Sequence, residues 1–360
     1  MNTLTKYLVT VLSIVAVIWL VERFVPATTS LGERVASDIP ASSVQPALEK
    51  EGKYPRAQEF VKPGEFINAE PFTLASLIGK KVIIVDFWTY SCINCQRTQP
   101  YLNAWYEKYK DQGLEIVGVH TPEFDFEKVA DNVRAAVKRE GIVYPVVQDN
   151  EFGTWRAYQN QYWPHKYLID TDGYIVYDQV GEGGYEEFET HVQRALAEHM
   201  ARAGAGGEVA SGTVRPGDIQ AVDFSKIKTP EIYLGVFRNA QYLGNGTPSI
   251  TGTQTLSMPA SNTQKKNLVY LGGTWEFSDQ AVRCVRDCVV RLAYSARQAN
   301  IVAGSPTSQS IRVRLDGKDV QSVTVRADTL YHVIDQNTYG EHTLELTVPT
   351  GLSLFTFTFS

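Results

Sequence analysis

The run at positions 82–96, VIIVDFWTYSCINCQ, restricts this chain more than any other segment. Its first seven residues are apolar except for Asp86, so the strand they form has no polar face and needs cover on both sides. That is the habit of a central strand in an α/β layer. Directly after it, Cys92 and Cys95 stand in a Cys-x-x-Cys spacing at the opening of a helix expected to reach Tyr109, with a kink at Pro100. A helix start offers unpaired backbone N–H groups and the positive end of the helix dipole, which favour a thiolate on the first cysteine. Cys92 is therefore the expected nucleophile. Cys95, one turn deeper, is the expected resolving thiol, able to attack a Cys92 mixed disulfide from within the molecule.

Strand and helix go on alternating from there. The pattern predicts a helical turn at 72–77, a strand at 114–119, a helix at 126–139, a short strand at 144–147 and a helix at 151–159. Hairpin strands at 167–169 and 174–177 flank Asp170-Thr171-Asp172-Gly173, and a helix at 186–200 closes the unit. The implied fold class is an α/β sandwich with a mixed sheet. Glycines crowd positions 201–217, and beyond them the period drops to two at 288–294, 311–315, 320–325, 342–348 and 352–359. An all-β antiparallel sandwich of the jelly-roll kind is expected there. With 360 residues, two separate cores are the natural division. The expected organisation is a signal anchor or signal peptide at 1–25, a spacer at 26–61, the α/β domain at 62–202, a linker at 203–218 and the β-sandwich at 219–360.

Lys6 precedes 15 uncharged residues, 7–21, which Glu22 and Arg23 close. That length suits a signal-peptide apolar region; with Lys6 and Arg23 snorkelling it also suits a membrane tether. Trp19 near the distal boundary favours a retained tether, while Val25-Pro26-Ala27 offers a cleavage site. Either reading exports the rest of the chain, and in an oxidising compartment both close cysteine pairs can be disulfides. Cys284 and Cys288 are expected to form a structural bridge, with a second redox pair as the rival reading. In a continuous strand their α-carbons would lie about 13 Å apart, so a turn through Val285-Arg286-Asp287 has to intervene.

No metal or bound cofactor is expected. One zinc held by all four thiolates would require the two domains to meet at the ion, and Gln96 stands where a c-type haem motif needs histidine. A net charge of -6 without a basic run argues against a nucleic-acid binder. Asp86, buried beneath the cysteines, is the expected proton acceptor and donor for Cys95. Pro164 lies between Trp163 and the next strand, where a cis bond would turn backbone polar groups toward the cysteines to pair with an incoming peptide. Trp88, Tyr90 and Trp163 are the expected walls of that substrate site. Tyr233 and Trp275 are candidates for a ligand face on the β-domain.

VDFW with Cys-x-x-Cys starting six residues after its Asp, and Trp163-Pro164 further on, resemble the thioredoxin pattern. The long run between Cys95 and Pro164 resembles the extra strand and helix of membrane-anchored thioredoxins of the TlpA and ResA type. More narrowly, WTYSCINCQRTQPYL, GVHTPEF, NQYWPHKYLID, GEGGYEE, TPEIYLG and GGTWEF resemble the exported thioredoxin plus β-domain portion of DipZ-type thiol-disulfide interchange proteins. The resemblance implies a thioredoxin fold with an inserted strand-helix unit, followed by a β-domain likened to carbohydrate-binding modules. It also implies reduction or exchange of client protein disulfides in the periplasm or cell-envelope exterior, with electrons from a CcdA-like membrane donor.

Two departures stand out. DipZ-type proteins carry a multi-span domain in front, where this sequence has one apolar segment, and Ile93-Asn94 replaces the Gly-Pro of ordinary thioredoxin. The dipeptide helps set the redox potential, so thioredoxin's reducing strength does not carry over. Three alternatives remain open: a dithiol oxidase; a thiol peroxidase, hinted at by Thr89-x-x-Cys92 although Val85 replaces the proline of that pattern; and a glycan- or protein-binding module carrying an accessory redox domain.

Overall fold

The computed structural model describes residues 50–204, 207–217, 222–246 and 250–360, so the expected anchor or signal lies outside the described residues. Among the described residues no helix is long and apolar enough to cross a membrane. The first domain is built on strands β1 (Phe66–Ile67), β2 (Val82–Trp88), β3 (Leu114–His120), β4 (Val146–Gln148), β5 (His165–Ile169) and β6 (Ile175–Val180), in the order β1-β4-β3-β2-β5-β6. β2 runs parallel to β3 and antiparallel to β5, giving the mixed sheet. Its helices are α1 (Ile93–Tyr109), α2 (Ala130–Arg139), α3 (Gly153–Ala157) and α4 (Tyr185–Ala203).

The period-two geometry of a strand distributes β2 between two cores. Val82, Ile84 and Trp88 pack with Leu102 and Trp105 of α1, Val133 of α2 and Phe188 and Leu196 of α4. Ile83, Val85 and Phe87 turn to the other face, against Phe60, Leu74, Trp155 and Tyr158. All seven residues are buried, as the unbroken apolar run requires. By the same alternation Asp86 belongs to the α1 face. The helix expected at 126–139 is split: a 3-10 turn spans Asp125–Lys128, and α2 begins only at Ala130 because Val129 is extended (φ -75°, ψ 115°).

The described parts of both segments expected to be loose, 50–61 and 207–217, are strapped down. In the expected spacer, Phe60 is in the core and makes edge-on ring contacts with Phe66 and Phe72. Lys50, at the start of the described chain, is buried among carboxylates, with Nζ 2.7 Å from Asp170 and 2.6 Å from Glu198. That corrects the expectation of a spacer up to 61: the first domain takes in the chain from residue 50. The expected linker behaves likewise, for Val209, Ala210 and Val214 pack on the α1/α4 core and the Val214 N–H donates to Glu189. Aromatic and branched residues inside these Pro- and Gly-rich stretches outweighed their loop composition.

The second domain is an antiparallel β-sandwich of strands β7 (Ile232–Tyr233), β8 (Gly252–Leu256), β9 (Val269–Phe277), β10 (Val282–Gly304), β11 (Gln309–Leu315), β12 (Lys318–Val325), β13 (Thr329–Val348) and β14 (Ser353–Phe359). The strand order is β12-β11-β13-β10-β14-β7, with β9 and then β8 added beside β10. β10 and β13 far exceed the strands expected at 288–294 and 342–348. They stay paired through two register shifts, at Ala296/Gln298 and Ala299/Asn300, where bulges let one long strand bend around the core.

Cys284 and Cys288 are disulfide-bonded, with α-carbons 5.8 Å apart. No hairpin separates them. A double irregularity in the β9–β10 register, between Cys284 and Val289, contracts the strand, and Asp287 takes a left-handed conformation at φ 55°. The turn expected at Val285-Arg286-Asp287 is thus a bulge inside one strand. Among the described residues both domains belong to a single compact unit.

Candidate active site

The site forms where β2 ends and α1 begins. Cys92 is the N-cap of α1, extended at φ -81° and ψ 117°, and its Sγ accepts the Cys95 N–H at 3.3 Å, one of the donors a helix start leaves open. On the other side the Cys92 thiol lies 3.9 Å from the carbonyl oxygen of Trp163, within its donating reach. The Trp163-Pro164 bond is cis, in line with the expectation. Cys92 is partly exposed and Cys95 is buried; both are free thiols. Burial, and next to it the hydrogen bond with Cys92, pushes the Cys95 thiol well up.

Asp86 is 1% exposed with its Oδ1 unpartnered, and its charge is near enough to help raise the Cys95 thiol. Burial raises its carboxyl to about 7, and the charge of Lys166 partly opposes the shift. Lys166 escaped the sequence reading. It stands opposite Asp86 in the β2–β5 register and is fully buried, and its Nζ donates to the Gly181 carbonyl at 3.1 Å. Burial lowers its ammonium, while Asp86 and then Cys95 pull it back up. A lysine inside the apolar run HKYLI was the available signal.

Glu127 is a second buried carboxylate that sequence reasoning missed. One oxygen accepts from the Ser91 hydroxyl at 2.5 Å and the Ser91 N–H at 3.3 Å; the other accepts from the N–H groups of Glu123 at 2.6 Å and Phe124 at 2.9 Å. It thereby ties the residue before Cys92 to the 123–124 loop. Burial, with Glu123 nearby, lifts its carboxyl to about 7.

Trp88 and Tyr90 do not wall an open site. They are 1% and 2% exposed and pack on His120, which burial holds neutral at about 3. The strand that delivers the cysteines runs through the core, so its last aromatic residues are core as well. Trp163 remains partly exposed, with its indole N–H donating to the Thr121 carbonyl at 3.0 Å. On the β-domain, Trp275 is fully buried with its indole N–H satisfied by Gly272, which removes it from any ligand face. Tyr233 is half-buried between the domains, its hydroxyl donating to Glu123 at 2.8 Å, so the two aromatic residues share no binding surface.

Comparison with known proteins agrees with this geometry. The AhpC/TSA family model matches residues 56–178, and the model described as "Thioredoxin like C-terminal domain" matches residues 229–360. The chain is 38% identical over 291 residues to Protein DipZ of Mycobacterium tuberculosis, covering 81% of this chain and 40% of that protein. It therefore spans about two fifths of the length of that relative. Thiol-disulfide oxidoreductase YkuV of Bacillus subtilis is 32% identical over 133 residues, 37% of this chain and 88% of that protein. Thiol-disulfide oxidoreductase ResA of Bacillus thuringiensis is 30% identical, over 35% of this chain and 76% of its own length. The chain belongs to the thioredoxin-like thiol-disulfide oxidoreductases of the TlpA, ResA and DipZ kind.

Proposed function

We propose that this protein exchanges disulfides with client proteins outside the cytoplasm through Cys92 and Cys95. The observation that carries the reading is the pairing of a partly exposed Cys92 sulfur at a helix start with a buried free Cys95 one turn behind it. In the reducing direction the Cys92 thiolate attacks one sulfur of a client disulfide. A Cys92–client bond forms, the client bond breaks, and the other client sulfur leaves as a thiolate. Asp86 then takes the proton from Cys95, whose thiolate attacks the Cys92 sulfur. The second client sulfur leaves, and Cys92 and Cys95 end as a disulfide that two electrons from a donor must reopen.

The proposed donor is a CcdA-like membrane protein, and the proposed location is the cell envelope; the apolar stretch 7–21 and the DipZ similarity support both. The β-domain is read as jelly-roll-like and akin to carbohydrate-binding modules on resemblance alone. The direction of electron flow is tested by titrating the Cys92–Cys95 pair against glutathione. A potential more reducing than the glutathione couple supports a reductase; one near the strongly oxidising bacterial donors gives the protein to dithiol oxidation.

A peroxidase reading has the AhpC/TSA match and Thr89-x-x-Cys92 in its favour, with Val85 against it. Peroxide consumption that survives Cys95→Ser but not Cys92→Ser would establish it, since a sulfenate on Cys92 needs no resolving partner to form.

A further inference from the structure

One flank of the Cys-x-x-Cys loop is covered by the β-domain. Ile93, between the two cysteines, is only 7% exposed and packs in one apolar cluster with Phe124 of the first domain and with Val302 and Leu330 of the second. The Phe355 ring lies 4.8 Å from Phe126 and 5.3 Å from Phe124, centre to centre. Polar contacts fasten the same joint. Arg238 sits 3.6 Å above the Tyr233 ring and 2.9 Å from the Glu123 carboxylate, Gln280 accepts the Asp125 N–H at 2.9 Å, and Arg97 donates to the Ser360 hydroxyl at 2.6 Å.

The flank beside Trp163 is different. There a cavity of about 240 Å³ opens between the domains, with Pro122, Phe152 and Trp163 on one side and Phe237, Arg238 and Asp279 on the other. Phe237 is 75% exposed, a large ring at the rim with most of its surface in water.

We propose that this cavity is a client subsite that receives one large apolar or aromatic side chain of an extended polypeptide whose disulfide is engaged by Cys92. The proposal rests on the oxidoreductase reading of Cys92 given above. Trp163 links the two places: it lines the cavity and its carbonyl oxygen is 3.9 Å from the Cys92 sulfur. A segment lying along Trp163 with a cysteine at Cys92 therefore has a neighbouring residue within reach of the cavity. The volume falls below the roughly 300–1,000 Å³ of pockets that enclose whole small ligands, and suits one side chain.

Two polar groups of the walls are held within the joint: the Glu123 carboxylate by Tyr233 and Arg238, and the Gln280 carbonyl by the Asp125 N–H. The Asp279 carboxylate stands exposed at the rim, so a sugar is the rival occupant that the test has to address. The β-domain on this account is a fixed wall of the redox cleft and reads the sequence beside the client cysteine.

The test uses the full chain and two short disulfide-linked peptides that differ only in Phe or Ser next to the cysteine, with kcat/KM measured for each. The expected result is a preference for Phe of about tenfold or more, the scale of one apolar side chain in a pocket. Phe237→Ser, at an exposed position that does not support the fold, is expected to lower that ratio several-fold. Equal turnover of the two peptides, or a ratio that Phe237→Ser leaves unchanged, overturns the subsite while leaving the oxidoreductase reading intact; turnover of neither overturns both. Inhibition by a β-glucan hexasaccharide that Phe237→Ser relieves would assign the cavity to glycans and also overturn the proposal.

Discussion

Asp86 and Lys166 face each other across the β2–β5 pair, a carboxyl and an ammonium both closed off from solvent beneath Cys95. Burial weakens each charge, so the carboxyl is raised and the ammonium lowered. A raised carboxyl binds its proton more tightly in the folded state than in the unfolded chain. Its contribution to stability is therefore complete below about pH 4 and lost as the pH climbs to about 7. Asp86→Asn is expected to match the parent in thermal unfolding near pH 4 and to exceed it above pH 7 by an amount on the order of a few kcal/mol. The same variant is expected to slow disulfide exchange most near neutral pH, where the Cys95 proton has to move. Identical unfolding and exchange profiles across the range would remove Asp86 from the mechanism.

Lys166→Met removes the cation that holds the Asp86 carboxyl down. The inflection that Asp86 gives the pH–rate profile should then move above about 7, with Cys92 and Cys95 still in place. An unshifted inflection would confine Lys166 to packing.

Glu127→Gln replaces one of two oxygens that together accept four hydrogen bonds with an amide NH₂, which meets donors and accepts nothing. The expected cost is about 1–3 kcal/mol in denaturant unfolding. Faster hydrogen exchange should accompany it on the side that meets the NH₂, either at Ser91 or at Glu123 and Phe124, because the amides there lose their acceptor.

The Cys284–Cys288 bridge closes a very short loop, and its sulfurs are buried away from Cys92 in the β-domain core. Replacing both cysteines with alanine should cost about 2 kcal/mol by the chain-entropy estimate. Disulfide exchange at Cys92 should persist. Non-reducing peptide mapping checks the bridge itself, and its reduction together with Cys92–Cys95 at one mild potential would mark it as a redox pair.

The sequence was most informative where one local rule decided the structure. The apolar run of β2, with Asp86 as its single polar interruption, required a doubly covered strand and an acid beneath the cysteines. The Cys-x-x-Cys spacing at a helix start pointed to Cys92 as the residue at the helix opening, and it is the N-cap of α1. The reading missed what depends on contacts between distant segments. Lys166 becomes a partner of Asp86 only through the β2–β5 register, and Glu127 matters because the 123–124 loop folds back onto Ser91. Trp275 and Tyr233 looked alike as aromatic residues near glycines, yet one closes the sandwich core and the other bridges to Glu123. Long-range packing also drew the described flanking residues, 50–61 and 207–217, onto the first domain through Phe60 and Val214, against their composition.

The division of labour between Cys92 and Cys95 is the central claim, and trapping tests it most directly. Under mildly oxidising conditions, with a disulfide-bonded client such as insulin, the Cys95→Ser protein is expected to accumulate a mixed disulfide that maps to Cys92, because nothing within the molecule can resolve it. Cys92→Ser should trap nothing, since Cys95 is buried. Adducts that form equally well on Cys95 in the Cys92→Ser protein, or no adduct from either variant, would contradict the account.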